Sequence, residues 1–370
     1  MDTYFTPEEI ERYRSHFALS GVGIEGQKKL KAARVLCVGV GGLGSPLTLY
    51  LAAAGIGTLG IIDADHIEVS NLQRQILYSD NEKNRPKVVV AKDKLLQLNP
   101  LVNIETYQEM LSEDNALSII KKYDVVVDAT DNYASRFLIN DFCFYLKKPN
   151  VYASVFQFEG QLSVFMPKHG PCYRCLYPDS PPENLVPNCA EGGVLGVLPG
   201  VMGSLQALEV IKCILGIGKP LIGKLLVFDG LCMSFKEFEI QKNNKCPICE
   251  KNIPFSDLAH TRITCNPKML SVQAFKTLRD ENKNFTLIDV REPFEFNICN
   301  LGGKLMPLGE LSQHLHKLDK SQLTIVHCKF DGRSKQALSL LEAEGFTQVK
   351  ILEGGIIRWI DQIDPFLTRY

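Results

Sequence analysis

RVLCVGVGGLGSPLTLYLAAAGIGTLGIID, residues 34–63, is the stretch whose reading decides the fold. Residues 34–39 make an apolar run suited to a buried strand, Gly41-Gly42-Leu43-Gly44 reads as a turn, 44–54 carries a helical pattern, and 58–63 is a second buried strand. From Val35 to Ile62 there is no charged residue, so a membrane span would read the same at first sight. Seven glycines and a proline punctuate the run in two places, which breaks a spanning helix and suits two short strands joined by a helix. This is a βαβ unit.

Working outward, further buried strands are expected at 124–128, 150–154, 161–165 and 224–229, with helical patterns between several of them. The expected class is α/β with a Rossmann-like, mostly parallel sheet. The first thirty residues carry a charged, helix-like pattern. Around 241–265 apolar periodicity fades and a Cys-Pro-x-Cys knuckle appears, so residues 1–250 form one expected domain and 251–265 a flexible linker. Residues 266–370 then hold a smaller α/β domain, with strands at 285–290, 323–327 and 348–352 and a helix from about Ser334. No internal repeat stands out.

The 370 residues are 45% apolar and 22% charged, a globular composition long enough for two or three domains. With 41 basic against 42 acidic side chains, no whole-chain charge points to nucleic acid or an anionic membrane. The amino terminus carries Glu8, Glu9 and Glu11 where a secretory signal needs an apolar core. A reducing cytoplasm is the expected setting, in which cysteine clusters read as metal or catalytic sites.

Gly39, Gly41 and Gly44 spell G-x-G-x-x-G between a strand and a helix, where backbone N–H groups and the helix amino end can face phosphate. Asp63, ending the second strand, stands where a carboxylate would accept from a ribose hydroxyl. So far an NAD enzyme and an ATP enzyme fit equally, and a glycine-tight helix packed on a sheet would need no ligand at all. Arg74, Lys87 and Asp131 follow, each near an expected strand end. Singly, each is more often a surface ion pair; together they suit cleavage of a triphosphate, two cations neutralising charge and a carboxylate holding Mg²⁺.

GVGGLG, Asp63-Ala64-Asp65, SNLQRQ at 70–75, Lys87 and Ala129-Thr130-Asp131-Asn132 resemble the adenylation domain of the MoeB/ThiF family, relatives of ubiquitin-activating enzymes, over roughly residues 5–250. The resemblance implies ATP bound without a Walker loop, with Gly42, Asp63, Asn71, Arg74, Lys87, Asp131 and Asn132 around ATP and Mg²⁺. It also implies a homodimer in which an N-terminal Arg reaches the neighbouring subunit's phosphates. Ser15 stands at that position here, with Arg14 beside it.

Cys172-x-x-Cys175 and Cys246-x-x-Cys249 have the spacing of paired knuckles that close one tetrahedral Zn²⁺ site. Four thiolates leave no open position, so the expected role is structural. Cys189 lies at the edge of a proline-rich segment, where a loop thiol can act as a nucleophile or pack as a small buried residue. In several members of the resembling family the matching Cys links covalently to the activated carrier protein.

Cys328 follows the strand pattern LTIVH and opens Cys328-Lys329-Phe330-Asp331-Gly332-Arg333-Ser334 before a helix. A thiolate at a helix amino terminus with Arg333 five residues on is expected to have a lowered pKa and to hold sulfur as a persulfide. A C-x₅-R phosphatase loop is the nearest rival. Ile288-Asp289-Val290-Arg291-Glu292-Pro293, Leu301-Gly302-Gly303, Met306-Pro307 and the LEGGIIRW run ending at Trp359 resemble a rhodanese domain over roughly 262–370. Asp331 departs from the glycine common at its position, and a carboxylate there would oppose an anionic donor such as thiosulfate.

The two resemblances together imply adenylation of the C-terminal carboxylate of a ubiquitin-like sulfur-carrier protein ending in Gly-Gly, then sulfur transfer from Cys328, directly or through Cys189, to leave AMP and a carrier thiocarboxylate. A persulfide donor such as a cysteine desulfurase would supply the sulfur, for molybdenum cofactor, thiamine or tRNA thiolation. Three rivals are an NAD(P) oxidoreductase, which leaves Arg74, Lys87 and Cys328 unexplained, a zinc-stabilised binding module with a dead nucleotide site, and a thiosulfate sulfurtransferase whose first domain only docks partners.

Overall fold

The computed structural model describes residues 4–178, 193–249 and 268–370, which fall into two compact units, one ending at 249 and one beginning at 268. The expected linker 251–265 and Cys189 lie outside the described residues.

The first unit is built on eight strands: β1 (Arg34–Val38), β2 (Thr58–Ile62), β3 (Asn103–Tyr107), β4 (Val125–Asp128), β5 (Asn150–Phe156), β6 (Glu159–Phe165), β7 (Lys224–Asp229) and β8 (Ser234–Glu239). Their order is β3-β2-β1-β4-β5-β6-β7-β8. Pairing is parallel from β3 through β5 and antiparallel from β5 through β8. Two of the antiparallel pairs follow from short returns: β5 turns into β6 through Gln157, which takes a positive φ of 51°, and β7 into β8 through Met233 at the same angle.

The uncharged run at 35–62 is a strand, the helix Gly44–Ala54 and a strand, and its apolar side chains other than Tyr50 and Ala53 are buried or packed against the core. Val35 and Cys37 lie on one face of β1, against Leu47 and Leu51, while Leu36 and Val38 lie on the other with Phe142 and Ile139. A strand covered on both faces reads as continuous apolar sequence, which is why β1, β2 and β4 were legible. The helix Val197–Leu215 is long and apolar enough to cross a membrane, yet it packs along the helix Gly44–Ala54, with Met202, Gln206, Ala207 and Val210 buried. A Cβ at Gly203 would lie 2.3 Å from the Leu43 carbonyl, so glycine permits that approach.

The second unit carries a parallel five-stranded sheet in the order β11-β10-β12-β13-β9, with β9 Met269–Leu270, β10 Thr286–Asp289, β11 Lys304–Leu305, β12 Thr324–His327 and β13 Val349–Leu352. The three strands expected from sequence are its centre; the two-residue edges were not expected. The helix expected from Ser334 begins two residues earlier, spanning Gly332–Ala343.

Candidate nucleotide, metal and thiol sites

In the first sheet the chain reverses its direction of winding between β1 and β4, and ligands of open α/β sheets sit outside the carboxyl ends of strands at such a point. Val38 is paired with Asp128, and Ala129 N–H donates to Val38 O at 3.0 Å. The register therefore sets the Gly39–Gly44 turn beside the Ala129–Asn132 loop. Gly39 has φ +88°, and a Cβ there would lie 2.9 Å from Ala129 O; one at Gly44 would lie 2.3 Å from Gly39 O. Only glycine fits either place.

Asp63 braces this turn. Its Oδ2 accepts from Val40 N–H and its Oδ1 from Asp65 N–H, both at 2.9 Å. Burial pushes its carboxyl up, a rise that the nearby Lys87 ammonium only partly offsets. Lys87 opens the helix Lys87–Leu98; it is buried and places Nζ 2.8 Å from the exposed Asp65 carboxylate. Arg74 follows the short turn Val69–Asn71, donates to Ser70 O at 3.1 Å, and runs its stem beside Gly42. Asn71 donates to Ser70 Oγ at 3.3 Å. Asp131 and Asn132 are exposed just beyond β4, where Asn132 caps the helix Tyr133–Leu146 by accepting from Ser135 N–H at 2.9 Å. Gln75, whose amide packs against Gly41, was not singled out from sequence.

Asp128 reads from the sequence only as a strand end. It is fully buried, and its Oδ1 accepts from Thr130 N–H at 3.1 Å and Thr130 Oγ1 at 2.6 Å, fixing the loop that presents Asp131. Burial pushes its carboxyl up, with Arg136 opposing. The signal was its place two residues before Thr130, a spacing that permits an Asx-type turn.

The four cysteines of the paired knuckles meet. Their Sγ atoms all lie within 4.8 Å of one another, with Cys172–Cys246 at 3.6 Å, Cys175–Cys249 at 3.5 Å and Cys172–Cys175 at 3.9 Å. Tetrahedral zinc thiolate bonds of about 2.3 Å put sulfurs about 3.8 Å apart, so the set fits Zn²⁺. The helix Tyr133–Leu146 holds the first knuckle: Asn140 Oδ1 accepts from Tyr173 N–H at 2.8 Å, and Asp141 takes both Arg174 Nε and Nη2 at 2.7 Å. One helix thus carries Asp131 and Asn132 at its start and the knuckle's anchor in its second half.

In the second unit Cys328 leaves β12 and is wholly buried. A Cβ at Gly355 would lie 2.3–2.6 Å from the carbonyls of Cys328, Lys329 and Phe330, and Ile356 N–H donates to Cys328 O at 3.0 Å. The expected lowering of the Cys328 pKa is not found. Burial pushes the thiol up, and the pull of Ser334 and Arg333 in the other direction does not overcome it. Arg333 is clamped by Glu295 at 2.5 and 2.7 Å, leaving part of its charge answered. Burial alone would raise the Glu295 carboxyl, but Arg333 brings it down to about 2. Beneath lie buried Arg291, which donates to Asp289 Oδ1 at 2.8 Å, and His327, 3.6 Å from Asp289 Oδ2. Asp331 Oδ1 accepts from Gly354 N–H at 2.7 Å.

Residues 13–248 match the ThiF family, and residues 271–362 match the Rhodanese-like domain. The chain is 39% identical to the adenylyltransferase and sulfurtransferase MOCS3 of Aedes aegypti, over 98% of this chain and 89% of that one. It is 50% identical to the sulfur carrier protein adenylyltransferase of Thermus thermophilus, over 66% of this chain and 92% of that one. The crystal structure of E. coli MccB with MccA-N7isoASN is similar in fold, with TM-score 0.58 and 23% identity, over 67% of this chain and 76% of that one.

Proposed function

The chain belongs to the ThiF family and carries a C-terminal rhodanese-like domain, making it an ATP-using adenylyltransferase and sulfurtransferase, and from that premise we propose how its residues divide the work. The substrate is the C-terminal glycine of a ubiquitin-like sulfur-carrier protein. The observation that carries the reading is the convergence, at the β1/β4 reversal, of the glycine turn, Lys87, Arg74 and Asp131 within a chain that also buries Cys328 at a helix start.

The carrier carboxylate attacks the α-phosphorus of ATP, the bond to the β-phosphate oxygen breaks, and pyrophosphate leaves. The backbone N–H groups of the Gly39–Gly44 turn line the phosphate path, and Arg74 and Lys87 answer the charge that develops. Asp131, an exposed carboxylate, would hold Mg²⁺, which supplies charge neutralisation on the phosphate oxygens when bound. Asp63 keeps the turn in shape. A carboxylate is already nucleophilic, so positioning outweighs acid–base work here.

For the second half-reaction, the terminal sulfur of a Cys328 persulfide attacks the adenylated carbonyl and AMP leaves, giving an acyl disulfide. A thiol then attacks Cys328 Sγ and releases the carrier thiocarboxylate, the resulting disulfide being returned to thiols by a dithiol reductant. Cys189 is the chain's own candidate for that thiol. A persulfide donor such as a cysteine desulfurase loads Cys328 in the cytoplasm, where thiols stay reduced. The four-cysteine cluster holds Zn²⁺ in a structural role, and the working assembly is a homodimer to which Arg14 offers a cation. The product serves molybdenum cofactor, thiamine or tRNA thiolation chemistry.

Carrier-dependent ATP–pyrophosphate exchange tests the first half: it should be present in wild type and in Cys328→Ala, and lost in Lys87→Ala. Exchange that survives in Lys87→Ala would remove Lys87 from the site.

A further inference from the structure

After the last helix, Gly355–Gln362, residues 363–370 have no helix or strand, yet Leu367 and Tyr370 pack on the apolar layer that holds Phe275, Phe330 and Trp359. Tyr370 reaches back to the Cys328 loop. Its hydroxyl donates to Glu295 Oε1 at 3.1 Å and accepts from Arg291 Nη1, and Lys329 Nζ lies 4.5 Å from its ring centroid. These partners are the carboxylate that clamps Arg333, the buried guanidinium beneath it, and the residue next to Cys328. Its polar contacts are therefore with charged groups that border the Cys328 loop through Arg333 and Lys329.

Cys328 is 0% exposed, so a donor's sulfur reaches Sγ only if some wall moves. Strand β12 and the helices Gly332–Ala343 and Gly355–Gln362 are held by backbone ladders, and Ile356 and Ile357 N–H groups tie the last helix to the Cys328 and Lys329 carbonyls. Beyond Asp364, whose N–H donates to Trp359 O at 3.1 Å, residues 365–370 are fastened through side chains, Arg369 to Asp361 at 2.7 Å and Tyr370 as above, while Phe366 is 97% exposed. Hydrogen bonds whose groups rehydrate on opening cost little to break, so the side-chain fastening of residues 365–370 is the weakest of these ties beside the Cys328 loop.

We propose that Tyr370 is a positioning residue of the sulfur-transfer site, fastening residues 364–370 beside the Cys328 loop so that Arg291, Glu295, Arg333 and Lys329 hold the loop that shelters the thiol, and that loading with sulfur requires this fastening to release. The inference rests on the reading of Cys328 as the sulfur carrier. It places a residue in the site that no motif of the loop contains.

The test is the rate at which iodoacetamide alkylates Cys328 in the full chain, followed by mass spectrometry of the peptide carrying it, for wild type, Tyr370→Phe, Tyr370→Ala and Phe366→Ala. Tyr370→Ala is expected to react about tenfold faster and Tyr370→Phe about threefold faster, as local opening becomes more frequent, with Phe366→Ala unchanged. The same two Tyr370 variants should lose a preloaded Cys328 persulfide to a reductant faster than wild type. Trp359 fluorescence verifies that the unit stays folded; should Tyr370→Ala unfold it, Tyr370→Phe, which keeps the ring, decides. Alkylation rates of both variants within twofold of wild type would overturn the proposal. Alkylation reads access whether or not Cys328 carries sulfur, so a Cys328 that never accepts sulfur but still reacts faster in the variants would reject only the sulfur-carrier reading.

Discussion

Val38 and Asp128 face each other across two parallel strands, and this single register places the glycine turn and the loop bearing Asp131 side by side. The contact between them is tight at Gly39, where a side chain would meet Ala129 O at 2.9 Å on a backbone with φ +88°. Gly39→Ala should abolish ATP–pyrophosphate exchange and destabilise the first unit by about 1–3 kcal/mol, the usual cost of such backbone strain. Exchange at wild-type rate in this variant, measured alongside thermal unfolding, would contradict the placement of the turn.

How much of this was legible depends on where each signal lies along the chain. β1, the turn and the helix Gly44–Ala54 are contiguous, and burial on both faces wrote them as an apolar run with glycines at its breaks. β3, Asn-Ile-Glu-Thr-Tyr, was missed because it is an edge strand with Ile104 as its buried residue, and β8 because all six of its residues are exposed or half-buried. The meeting of the four knuckle cysteines was legible from spacing alone. Tyr370 was not, since its link to Arg291 and Glu295 spans 79 and 75 residues and follows no local pattern. For the Cys328 thiol, sequence shows the helix start and Arg333 but not the burial that outweighs them.

Removing one ligand of the cysteine cluster should act on stability. Cys246→Ser leaves three thiolates in a partly buried site, and structural zinc contributes several kcal/mol to folding. The first unit should melt at markedly lower temperature and release metal, while alkylation of Cys328 in the second unit is unchanged. Unaltered melting with one zinc per chain retained would refute the four-cysteine assignment.

His327 gives the second unit a pH dependence. Burial lowers its imidazole to about 4, with Asp289 opposing, so the native state holds it neutral while the unfolded chain protonates it near the ordinary value of about 6.5. The unfolded state therefore binds the extra proton between those values. Stability of the second unit should fall as pH drops from about 6.5 to about 4, by up to about 1.4 kcal/mol per pH unit. Trp359, the sole tryptophan and buried in this unit, reports it in urea titrations. The slope should flatten in His327→Leu; an equal slope in that variant would move the effect elsewhere.

Asp331 bears on the donor. Its carboxylate sits at the start of the helix Gly332–Ala343, held by Gly354 N–H, three residues after Cys328 in the same loop. Asp331→Gly should raise thiosulfate turnover about tenfold by removing like charge, with loading from a protein persulfide less affected. Faster thiosulfate turnover by wild type than by the variant would sink the idea.

The central claim, one chain that adenylates a carrier and then delivers sulfur to it, is tested most directly by mass spectrometry of a Gly-Gly-tailed sulfur-carrier protein. The carrier is incubated with the enzyme, MgATP and a persulfide donor, beside the same reaction with Cys328→Ala. The account predicts a carrier heavier by the exchange of one oxygen for sulfur with wild type, and only the adenylated carrier with Cys328→Ala. Thiocarboxylate formed equally well by both enzymes would contradict the role of Cys328, and no adenylate with any carrier would contradict the reading of residues 39–132.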